Sequence, residues 1–97
     1  MRHFHRTHLG PDAALTIADE FFPAIGATRT ASLARSRAFS GPLGTMTLKI
    51  RPDGGHYTFL EVETDQTGES RLDRNVKRYF VKVRKAEMPA RTLEAAY

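Results

Sequence analysis

The cleanest alternation of apolar and polar positions runs from Thr45 to Arg51, where Met46, Leu48 and Ile50 share one face in the period-two pattern of a half-buried strand. Pro52-Asp53-Gly54 follows with the composition of a type I turn completed by a left-handed glycine, which predicts a three-residue hairpin loop. With Arg51 opposite Gly55, Leu48 meets Thr58 and Met46 meets Leu60, so Thr58, Leu60 and Val62 join the buried face. The same parity turns Tyr57, Phe59, Glu61 and Glu63, with Thr47 and Lys49, to the opposite face.

Helical spacing occurs twice. Gly10-Pro11-Asp12 suits a helix start, with proline in the first turn and an acid at the positive end of the dipole. Ala14, Leu15, Ile17, Ala18, Phe21, Phe22 and Ile25 then recur along one side. Pro23 disfavours helical geometry at Phe22, so the regular part is expected to end near Phe21 or Phe22, with Gly26 closing it. The second pattern spans Ser70 to Ala86 and gathers Leu72, Val76, Tyr79, Phe80 and Val83 on one side. Ser70-Arg71-Leu72-Asp73 resembles a capping box at its start, and Met88-Pro89 ends it.

Weaker patterns fill the remainder. Arg2, Phe4 and Arg6 alternate with His3, His5 and Thr7, so residues 1–9 read as an edge strand or a frayed arm. Residues 30–40 fit either a strand or a helix; a single strand from Thr28 to Ser40 is preferred because Ala31, Leu33 and Phe39 share a face. Gly41-Pro42-Leu43-Gly44 is a turn, and residues 88–97 a tail or short helix. The predicted order is β-α-β-β-β-α, an α+β two-layer sandwich with an antiparallel sheet and both helices on one face. Helix-grip and TBP-like folds share that general order of elements.

A chain of 97 residues holds one core, so residues 1–97 form a single domain, and a core this small favours pairing with a second copy. The absence of cysteine excludes disulfide frameworks and thiolate metal sites. No apolar run approaches membrane-spanning length and the first residues lack a signal-peptide core, so a cytoplasmic location without membrane contact is expected.

The net charge of +4 matters less than its distribution. No Asp or Glu occurs from Phe21 to Pro52, whereas 7 of the 15 Lys and Arg fall in the second helix. Glu61, Glu63, Asp65 and Glu69 immediately precede that helix, close enough in sequence to neutralise it in the fold.

Two candidate surfaces follow. Arg71, Arg74, Arg78, Lys82 and Lys85, helped by Arg35 and Arg37, form an anion-binding set suited to nucleic-acid phosphates or another polyanion. Tyr57 and Phe59, on the sheet face turned away from the core, form an interface set suited to a homo-oligomer. His3, His5, His8 and His56 offer imidazoles but no spacing that fixes a metal cage, and no nucleophile, base or phosphate-binding glycine loop is brought together by a motif. The sequence therefore predicts a non-catalytic binding or assembly domain that self-associates through its sheet, without cofactor or metal. Its alternative is polyanion binding through the C-terminal helix.

Overall fold

The computed structural model describes residues 1–67 and 70–87. The elements run β1 (Arg2–Thr7), α1 (Pro11–Ala24), β2 (Thr28–Leu33), β3 (Ser36–Gly41), β4 (Gly44–Asp53), β5 (Tyr57–Thr64) and α2 (Arg71–Glu87). The strands form one antiparallel sheet in the order β1-β5-β4-β3-β2. Both helices cover the same face, α1 over β2, β3 and β4, and α2 over β1 and β5. The expected tail or short helix at 88–97 lies outside the described residues.

The single strand expected across residues 28–40 is a hairpin of two. Leu33 pairs with Ser36, and Ala34-Arg35 make the turn. Neither residue is Gly or Pro, so composition does not mark the reversal. In β2 the register shifts between Arg29 and Ala31, leaving Thr30 as an extra, unpaired residue.

The β4–β5 hairpin also differs from its expected register. Arg51 pairs with Phe59 rather than Gly55, and the loop is Gly54-Gly55-His56, with φ of 23°, 61° and 71°. Two glycines reach that left-handed region without a Cβ penalty, so the reversal falls there, and Pro52 and Asp53 extend β4 instead. Because the slip is even, every side chain keeps its expected face.

Helix α1 continues through Ala24, past the predicted stop. Pro23 sits in its last turn, where it removes one intrahelical N–H donor, and the backbone N–H groups of Ile25 and Ala27 donate to Phe22 O at 3.2 and 3.0 Å. Gly26, at φ 92°, turns the chain into β2.

The core fills the space between sheet and helices. Phe22 lies between Phe39 and Tyr79, with ring centroids 5.1 and 5.3 Å away, and Met46, Leu48, Leu60, Val62, Leu72, Val76 and Val83 close around them. Tyr79 Oη donates to Ala14 O at 2.8 Å, joining the helices, and burial pushes its phenol above the ordinary range.

Strand β1 is ordered rather than frayed, because α2 holds both of its ends. At one end His3 Nε2 donates to Asp73 Oδ1 at 2.7 Å; at the other Thr7 Oγ1 donates to Glu87 Oε2 at 2.8 Å. Asp73 also accepts from Thr64 Oγ1 at 2.9 Å and from Ser70 Oγ at 2.6 Å, while its own N–H donates to Ser70 Oγ, which caps α2. Burial opposes the Asp73 carboxylate, yet the hydrogen bonds from Ser70, His3 and Thr64 outweigh it and bring its pKa down to about 2.

Candidate functional site: the uncovered sheet face and the basic helix

The ladder registers define rows of side chains across the face that no described helix covers, since directly paired residues of neighbouring strands point the same way. One row reads Phe4, Glu61, Lys49, Ser36, Leu33 from β1 to β2. A second reads Arg2, Glu63, Thr47, Ala38, Ala31. A third holds Arg6, Phe59 and Arg51, followed at the hairpin end by Tyr57 and Asp53.

Apolar side chains stand open on this face: Leu33 is 70% exposed, Phe4 55% and Tyr57 38%. Phe4 stacks on Phe59 at 5.6 Å, the Arg51 guanidinium lies 4.6 Å from the Phe59 centroid, and that of Arg6 lies 5.4 Å from Tyr57. Arg6 pairs with Asp53 at 2.9 Å and Arg2 with Glu63 at 3.8 Å. Lys49 and Glu61 sit directly opposite each other yet form no ion pair among the described residues. Between them, and lined also by Ile50, Arg51 and Phe59, is a hollow of about 230 Å³. Tyr57 and Phe59 were legible in the sequence; Phe4 and Leu33 were not, because they join the patch only through β1–β5 and β2–β3 pairing.

The basic helix presents its charge elsewhere. Arg71, Arg74, Arg78, Lys82 and Lys85 are all exposed and step along α2 by three or four residues, a stripe about 21 Å long at the usual helical rise. Arg71, Arg74 and Lys85 form no ion pair among the described residues, Arg78 reaches only Asn75 at 3.4 Å, and Lys82 lies 5.9 Å from the Phe21 ring. Glu61 and Glu63 lie on the far side of the sheet and Asp65 accepts from the Thr45 N–H and Gln66 Nε2, so among the described residues these three acids do not pair with the helix, and Glu69 lies outside the described residues.

Arg35 and Arg37 do not join the stripe. They belong to the β2–β3 end of the sheet, whereas α2 covers β1 and β5. Arg35 stands in the exposed turn. Arg37 grips Asp19 of α1, its Nε 3.1 and 3.2 Å from the two carboxylate oxygens, and also donates to Leu33 O and Ser36 O.

The histidines disperse. His3 is held by Asp73, His5 stacks on Phe80 at 5.0 Å, His8 lies 4.3 Å from Tyr57, and His56 occupies the hairpin loop. Among the described residues no three His, Asp or Glu side chains converge as a metal cage. A hollow of about 400 Å³ is an open groove between the helices where Ile17, Phe21 and Ala24 face Lys82 and Lys85. No described helix is long and apolar enough to cross a membrane. No family model, curated protein or solved structure gives a significant match to the chain.

Proposed function

We propose that this chain is a non-catalytic assembly domain that pairs with a second copy of itself through the uncovered face of its sheet. The observation that carries this reading is the exposed Phe4, Leu33 and Tyr57, with half-buried Phe59 beside them, set among charges of both signs on the face that no described element covers. Mixed charge favours a protein surface of the same make-up over a uniformly anionic partner. Five strands about 4.8 Å apart and about 20 Å long offer roughly 500 Å² per copy in projection, so two copies bury about 1,000 Å² in all, the lower bound for a biological interface and the size of a weak, reversible one. Sedimentation velocity across a concentration series tests the reading: a concentration-dependent dimer is expected, abolished by changing Tyr57 and Phe59 to Ser. A strict monomer at high concentration overturns it.

A second reading concerns the opposite side of the molecule. The exposed basic stripe on α2 favours binding of a nucleic-acid backbone, without base readout because no aromatic side chain stands in the stripe. Mobility shift of a DNA duplex is expected at low salt, with a logarithmic salt slope that becomes shallower in an R74A/R78A/K85A variant. No retention at low salt removes this reading.

A further inference from the structure

The assembly reading leaves open how two copies meet, and the side-chain rows narrow the answer. We infer that the two sheets pack face to face about a two-fold axis parallel to the strands and lying over the boundary between β4 and β5, so that Glu61 of each copy pairs with Lys49 of the other. This inference rests on the assembly reading.

An isologous contact of aligned sheets places its axis either along the strands or across them. An axis across the strands lays each strand on its own counterpart, so with the Phe4 row at its centre Glu61 opposes Glu61 and Lys49 opposes Lys49. Like charges face to face disfavour that arrangement. An axis along the strands keeps each row on itself and reverses strand order, so the outcome depends on where the axis falls. Over β4 it opposes two copies of Lys49, and over β5 two copies of Glu61. Between β3 and β4 it sets Lys49 on Ser36 and Glu61 on Leu33. Only the β4–β5 boundary gives both charges an opposite partner, in the order fixed by the ladders.

Other features agree with that position. Glu61 and Lys49 have no ion-pair partner among the described residues of their own chain, so each is available to another. In the third row the same axis lays Phe59 of one copy over Arg51 of the other, repeating between chains the guanidinium–ring contact seen within each. In the second row Glu63 meets Thr47 and Arg2 meets Ala38, with no like-charge contact. The hollow lined by Lys49, Arg51, Phe59 and Glu61 lies on the axis, where side chains of both copies would fill it.

Charge reversal with mixing tests the register. Each of E61K and K49E alone sets two like-charge pairs across the interface and is expected to weaken dimerisation by about tenfold or more. An equimolar mixture of the two variants faces the lysine introduced at position 61 with the glutamate introduced at position 49, while the native pair survives on the other side of the axis. Native mass spectrometry is therefore expected to show a heterodimer formed in preference to either homodimer. If the wild type dimerises but E61K and K49E do so equally well, or their mixture shows no heterodimer preference, the register is wrong and the assembly reading stands. If the wild type remains monomeric at high concentration, both fall.

Discussion

Asp73 is 1% exposed and accepts hydrogen bonds from three side chains, so the fold stabilises its anion over its acid. With the pKa at about 2 against an ordinary 3.8, that stabilisation is complete above about pH 4 and is lost as the pH falls through 2. Asp73→Asn is expected to cost about 1.5–3 kcal/mol near neutrality and to flatten the acid limb of stability. Urea melts at pH 7 and pH 3 check this, and an equal loss at both values would refute the linkage. His5 acts higher on the pH scale: burial lowers its pKa, so the unfolded chain takes the proton more readily and the fold loses stability as the pH drops below 6.5. His5→Phe keeps a ring against Phe80 and removes the proton, so the fall in urea midpoint between about pH 7 and 5 should shrink. Neither role was legible in the sequence. An alternating Arg2–Thr7 segment announces a face, but the partners of His3 and His5 come from α2, some seventy residues on.

At the scale of elements, parity was legible where position was not. Met46, Leu48, Ile50, Thr58, Leu60 and Val62 were assigned the buried face from alternation and an expected hairpin register, and all six are buried, because a register slip by an even number of residues leaves faces unchanged. The turn escaped because Pro52-Asp53-Gly54 and Gly54-Gly55-His56 are competing reversals two residues apart, and the glycine pair won. The β2–β3 turn escaped because Ala34-Arg35 carries no breaker. The Arg37–Asp19 contact, which takes Arg37 out of the anion-binding set, is a pairing between elements that no local pattern encodes. The β3–β4 turn shows what a marked position demands. Gly44 has φ 130°, and a Cβ there would lie 2.6 Å from Asp65 Oδ1 and 3.2 Å from Leu72. Gly44→Ala is thus expected to cost about 1–3 kcal/mol through backbone strain and displacement of the Asp65 and Leu72 contacts, read as a drop in thermal midpoint.

For the molecule as a unit, both helices lie on one side, so the sheet contributes one buried face and one that no described element covers. If the open face pairs two copies, mass action links stability to concentration: the thermal midpoint should fall on tenfold dilution, and Phe59→Ser should remove that dependence. A midpoint constant across dilution would count against pairing. The extra residue in β2 gives this arrangement a further meaning. An uninterrupted outer strand is a template that can recruit strand after strand from other molecules, the route to fibres. Thr30 interrupts the ladder one position after Arg29, whose guanidinium turns to Asp19 of α1 3.3 Å away, so the row of free backbone groups needed for such recruitment is broken. A bulged edge of this kind disfavours growth by strand addition at that end of the sheet, whereas pairing through the face, if it occurs, would consume its own surface in a single step. In a paired assembly the irregularity in β2 would thus favour a finite particle over growth from that edge.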